Sequence, residues 1–202
     1  MSITEPGAGG GWLQARIKNI LFSPASEWDR IAAEPATVRG LYTGYACILA
    51  AIGPIAGLIG GQVFGQHGFF LTVRPSLIGA IVAAIVYYLL SLAGVFVLAV
   101  VIDILAPSFG GTRSRIQALK VAVYSCTAVW LFMIFFLAPP VSSLSVIGIY
   151  SLYLIYLGVP TLMKAPADKA MVYSVLSIAV ALAILIVVMV AGAVVGGSLA
   201  AV

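Results

Sequence analysis

Few residues in this chain could do chemistry, and the most pointed are Asp103, Arg113, Arg115 and Lys120. They stand together in the longest polar interruption after residue 40. Pro107 and Gly110-Gly111 lie between the acid and the basic cluster and break any helix there. An acid closing one hydrophobic run and cations opening the next read as a loop at a membrane surface. A carboxylate at the centre of a membrane helix costs about 2.5–3.5 kcal/mol on insertion scales. It costs less at the helix end beside an arginine. Asp103 is therefore expected to face the protein and pair with Arg113 or Arg115, with Pro107 and the glycines folding the loop back. The plain role is an ion pair that fixes the loop. The sharper one is a proton or cation site, or a contact for a partner.

Tyrosines form the second group. Counted along the predicted helices, Tyr45, Tyr124 and Tyr156 each lie about 10–12 Å below the cytosolic surface. Tyr153 and Tyr156 share a helix face with Pro160. Such residues could line a polar cavity open to the cytosolic side. Ordinary bundle packing with satisfied hydroxyls, or an aromatic belt, is the simpler account of them. No Ser-His-Asp set, paired intramembrane aspartates, HExxH or phosphate loop occurs, so neither an enzyme nor a cofactor is expected. The single His67 has no ligand partners in its neighbourhood. Cys47 and Cys126 sit in apolar runs without a CxxC, which suits packing better than a metal or a disulfide.

The elements that must hold these residues are set by composition. Of the 202 residues 63% are hydrophobic and 8% charged, and the mean hydropathy is +1.19. Soluble domains carry about 25% charged residues, so this is an integral membrane protein. The ten Lys and Arg residues are scattered among loops, which excludes a nucleic-acid surface. The expected fold is all-α: five transmembrane helices over residues 38–59, 76–102, 116–138, 141–163 and 170–192. The uncharged stretch from Val121 to Met163 is too long for one crossing, and Pro139-Pro140 divides it. A kink is expected at Gly53-Pro54, and Gly53, Gly57 and Gly61 offer a face for close helix packing. Residues 1–36 form a cytosolic N-terminal segment and residues 37–202 the membrane domain. Within that segment residues 1–10 are Gly-rich and expected to be disordered. Residues 12–22 and 24–34 read as two short amphipathic helices, lying in the lipid interface or packed on the protein's own cytosolic face. Ser23-Pro24 opens the second, and Glu34-Pro35 ends it. No cleavable leader is expected, since the first 36 residues are charged throughout.

Order and motifs together resemble the Yip1 domain family, whose members carry a cytosolic N-terminus, five spans, an Asp-Leu-Tyr-Gly-Pro motif and a Gly-Tyr pair. Here Asp103-Ile104-Leu105-Ala106-Pro107 keeps the Asp and Pro and departs at Leu105 and Ala106. Gly44-Tyr45 supplies the pair. The segments Trp28–Glu34 and Tyr153–Pro160 look like bacterial members, and the resemblance covers residues 12–192. Eukaryotic members bind Rab GTPases in vesicle traffic, a role not carried over to a bacterial-type sequence. The resemblance implies a bacterial inner-membrane location and a non-enzymatic protein that organises or binds lipids, other membrane proteins or its own copies. A small carrier or channel for an ion, lipid or solute is the alternative.

Nine of the ten cations fall on one side of this topology and only Arg74 on the other. The positive-inside bias then places the N-terminus in the cytosol and the C-terminus outside, in the periplasm. A C-terminal fusion to an enzyme active only in the periplasm should be active; activity of a cytosol-only reporter there would overturn the assignment.

Overall fold

A computed structural model describes residues 10–67, 72–73 and 76–198. The Gly-rich start of the chain, Arg74 and the last residues lie outside them. The described residues form an all-α bundle with five helices long and apolar enough to cross a membrane. Two short helices precede it, α1 (Gly10–Phe22) and α2 (Pro24–Ala33). The spans are Val38–Phe64, Leu77–Phe109, Arg115–Leu137, Pro140–Met163 and Ala167–Val195. A two-residue antiparallel pairing, Gln66–His67 with Thr72–Val73, joins the first two.

Few spans are regular, and the reasons are local. The first begins as Val38–Leu41, with Thr37 accepting a hydrogen bond from Gly40 N, and then widens to a π turn over Tyr42–Ala46. It breaks at Ala51 and resumes as Ile52–Phe64. Pro54 has no N–H for the carbonyl four residues back, so the expected kink falls one turn ahead of it. The third span is helical over Arg115–Ser125 and Thr127–Phe132, then tightens into a 3-10 helix over Met133–Leu137. The fourth was expected to be α-helical from residue 141. Instead Pro139–Ile149 is a 3-10 helix, and only Tyr150–Met163 is α-helical. The sequence PPVSSLSVIGI explains the difference: two prolines, three serines and β-branched residues give the backbone little help in holding an α-helix.

The third span is the pillar of the bundle, with 61% of its most apolar stretch buried against 6% for the fifth. Its small residues, Ala118, Ala122 and Ala128, let the second and fourth spans close on it from either side. The fifth span packs against the second and along the α-helical half of the fourth. α2 lies across the fourth span, where Gly158 leaves room for the Trp28 ring. Trp28 is fully enclosed by protein. Of the two readings of these helices, packing on the protein's own face is therefore the one realised around Trp28, rather than lipid contact.

The glycine face of the first span packs within the bundle, but not in the expected register. Gly53 sits on the Met133 side chain, while Gly57 has nothing near it. The tightest position is Gly60, where a methyl group would stand 2.2 Å from the carbonyl oxygen of Phe136. Backbone cannot yield as a side chain does, so Gly60→Ala should destabilise by about 1–3 kcal/mol through overpacking. Gly57→Ala should stabilise by up to about 1 kcal/mol through helix propensity. Thermal denaturation in detergent checks the pair; equal effects would show that the first and third spans are not in this contact.

Candidate functional site

Two polar stations occupy the end of the bundle that α1 and α2 cover. The first is built on Arg16, which is 2% exposed. Its Nη1 donates to Glu27 Oε1 at 2.5 Å and its Nη2 to Glu34 Oε2. Arg30 donates from Nε to the other Glu34 oxygen at 3.1 Å. The guanidinium also lies over the rings of Trp12 and Tyr124, at 5.3 and 5.4 Å from their centroids. Glu27 and Glu34 can share one guanidinium because they are seven residues apart, two turns along the same side of α2.

Lys120 enters from the third span. Its Nζ donates to the carbonyls of Ile31 at 2.8 Å and Glu34 at 2.5 Å, and Gln117 Nε2 donates to the carbonyl of Ala32 at 3.0 Å. The last turn of a helix leaves carbonyls without intrahelical partners. The third span thus supplies the cap that α2 lacks in its own sequence, with positive charge at the negative end of the helix dipole. Below this lies Tyr45, set inward by the π turn that also contains Gly44. Its ring meets Tyr124 edge-on at 4.8 Å, and its hydroxyl is 2.7 Å from Thr127 Oγ1. Thr127 already gives its proton to the Tyr124 carbonyl, so Tyr45 is the donor to Thr127.

The second station is the loop of Asp103. Arg113 Nε donates to Asp103 Oδ2 at 3.2 Å, with the carboxylate buried and the arginine 59% exposed. Pro107 opens a 3-10 turn over Ala106–Phe109, and Gly110 follows at φ +73°, where a side chain would be strained. Gly111 N then bonds Ala106 O at 2.8 Å, and Thr112 N bonds Met163 O at 2.7 Å, clipping the loop to the end of the fourth span. A methyl on Gly111 would lie 2.8 Å from that same Met163 oxygen. Tyr173 of the fifth span closes the station by donating to the Ile102 carbonyl and stacking on Phe109 at 5.1 Å.

The sequence-predicted residues are thus partly gathered and partly scattered. Asp103 and Arg113 meet, whereas Arg115 is exposed and joins no ion pair among the described residues. Tyr45 and Tyr124 meet in a solid core. Tyr153 and Tyr156 lie on the outer side of the fourth span, 47% and 44% exposed, with Pro160 inside the same helix and half-buried. The four tyrosines therefore line no common polar cavity: the turn of the fourth helix that buries Leu154 and Ile155 against the bundle directs Tyr153 and Tyr156 outward. What the sequence reading missed is Arg16, Glu27, Glu34 and Lys120 as one network. The signal was present in Lys120, a charge five residues into an apolar span, and in the spacing of Glu27 and Glu34.

One cavity lies deeper, about 340 Å³ in volume, between the second to fifth spans. Its walls are apolar apart from a few hydroxyls and ring polar groups.

Bundle, buried ion network and apolar walls define a multi-pass helical membrane protein. The Yip1 domain profile matches residues 18–189, and the chain belongs to that family. It is similar to the inner membrane protein YohC of Escherichia coli K12, 28% identical over 171 residues that cover 82% of this chain and 88% of YohC. The YohC of Escherichia coli O6:H1 strain CFT073 matches to the same extent. No solved structure matches.

Arg16→Gln strands a buried Glu27 and should cost about 3–5 kcal/mol. Asp103→Asn and Arg113→Gln should couple by about 0.2–1 kcal/mol, because Arg113 is largely solvated. Arg115→Gln should add to Asp103→Asn without coupling. Thermal unfolding of the single and double variants checks the order; an Arg113 cycle with no coupling would remove the ion pair.

Proposed function

We propose that this chain is a non-enzymatic, multi-pass protein of a bacterial inner membrane that binds and organises other membrane components. The observation that carries the reading is the fifth span. It is held at one end by Tyr173 and along one side by the second span, yet only 6% of its most apolar stretch is buried. Ala179, Ala183, Ile186 and Val190 recur at three- and four-residue spacing and are all exposed. Small and β-branched residues on one open helix face suit another transmembrane helix, whether of a second copy or of another protein. The polar residues at the capped end are engaged with one another, which suits a fixed platform better than a reaction centre. Residues 1–36 act as a cytosolic cap on the membrane domain of residues 37–202, with the C-terminus in the periplasm, a placement that the charge asymmetry supports. The YohC proteins, named as inner membrane proteins, support the location.

The alternative, a small carrier or channel, would need a polar route. The tyrosines do not form one, and the walls of the internal cavity are apolar. Extraction of the tagged protein with its native lipid belt, followed by crosslinking, tests the organiser. A defined protein partner or a homo-oligomer should be recovered, and Ala183→Trp should reduce its yield at least severalfold while thermal stability is retained. Recovery that is unchanged by Ala183→Trp would refute the role of the fifth span. A solute-dependent thermal shift with no protein partner would favour the carrier.

A further inference from the structure

The deeper cavity has a volume within the roughly 300–1,000 Å³ typical of small-molecule sites. It exists because the outer halves of two spans depart from α-helix: the third after Phe132, the fourth before Tyr150. The second and fifth spans meet at Gly94 and Ile184, and the space remains behind that contact. Val146, Ile149, Leu182 and Met189 line the cavity and are also exposed on the bundle surface. They mark a lateral opening between the fourth and fifth spans, facing the hydrocarbon.

Four polar residues of the wall have hydrogen-bond partners. Trp130 Nε1 donates to Ser91 Oγ at 3.1 Å, and Ser151 Oγ accepts from Val129 N at 2.9 Å. Tyr87 donates to the Met133 sulfur at 3.4 Å. Ser125 differs. It is fully buried, it lines the cavity, and its hydroxyl has no partner among the described residues. A hydroxyl kept from water and left unpaired costs about 1–3 kcal/mol, so a donor at this point calls for an acceptor inside the cavity.

Depth narrows the class of acceptor. Ser125 is ten residues beyond Arg115, or about 15 Å at 1.5 Å per residue, half of a hydrocarbon core about 30 Å thick. A phospholipid's ester carbonyls are held at the interface by the hydrated headgroup and do not reach this depth. The lining carries no ionisable acid or base of the Asp, Glu, Lys, Arg or His kind, which excludes a charged ligand. Tyr87, Trp130 and Phe136 supply aromatic surface for a flat apolar body. We propose that this cavity binds a neutral, headgroup-free lipid through a carbonyl oxygen on the Ser125 hydroxyl, the chemical type being an isoprenoid quinone. The site uses other residues of the fifth span than the surface invoked above.

The test uses the full chain in nanodiscs of dioleoylphosphatidylcholine, titrated with decylubiquinone and read by tryptophan fluorescence. Trp130 lines the cavity, whereas Trp12 and Trp28 lie at the capped end. Saturable quenching above the linear background is expected for the wild type. It should vanish in Trp130→Phe and in the cavity-filling Ala181→Phe. Ser125→Ala should weaken apparent affinity about 3–10-fold, the worth of one hydrogen bond. Quenching that is only linear, or that saturates equally in Trp130→Phe, overturns the site. Equal competition by oleate and quinone, with Ser125→Ala unchanged, also overturns the proposal by making the cavity a groove for any lipid chain. Should Ala181→Phe fail to fold, the Ser125→Ala and Trp130→Phe results decide alone.

Discussion

Lys120 holds the covered end of this protein together, because among the described residues it is the one buried cation within a span. A buried ammonium needs its donors satisfied, and carbonyls at a helix terminus offer acceptors without a second charge to desolvate. The end of α2 supplies them at Ile31 and Glu34. Seating α2 there brings Glu27 and Glu34 against Arg16, which draws in α1. It also drives the Trp28 ring onto Gly158 of the fourth span. The N-terminal helices are thus integral to the packing, and three cations face two carboxylates in the network (Arg16, Arg30 and Lys120 against Glu27 and Glu34). Donation by Lys120 to carbonyls, not to a carboxylate, is what makes that uneven count tolerable.

The departures from α-helix follow a common logic. In lipid a backbone group left unpaired is expensive, so irregular backbone survives where protein re-satisfies it. The π turn at Tyr42–Ala46 is lined by Tyr42, which donates to Leu92 O, and followed by Cys47, whose carbonyl accepts from Tyr88. The break between the two helical parts of the third span is covered by Ser151, which takes the Val129 amide. The 3-10 halves of the third and fourth spans pack against each other. A gap in the bundle is the geometric consequence, since 3-10 helices are narrower and longer per residue than α-helices.

The two ends of the bundle are built differently as a result. The covered end is dense with tyrosine, tryptophan and ion pairs. The other half is apolar and loosely closed, and the fifth span touches it along one side only. Apolar surface remains open on that half, which is where the proposed recognition of other membrane components would take place.

The sequence by itself determined the class, the number of crossings and the pairing of Asp103 with a nearby arginine. Each of these depends on short-range rules: hydrophobic length against bilayer thickness, and an acid that needs a cation within one loop. Choosing Arg113 over Arg115 needed the fold, because the φ of Gly110 and the clip from Thr112 to Met163 decide which guanidinium turns back. The Arg16, Glu27, Glu34 and Lys120 network was beyond sequence reading for the same reason: Lys120 and its acceptors are 86 and 89 residues apart. The tyrosines show the limit most directly. Depth along a helix can be counted, and Tyr45 and Tyr124 do meet at one level. Which way each ring points depends on how the helices are rotated about their axes, and that is set by the packing of side chains far apart in the chain.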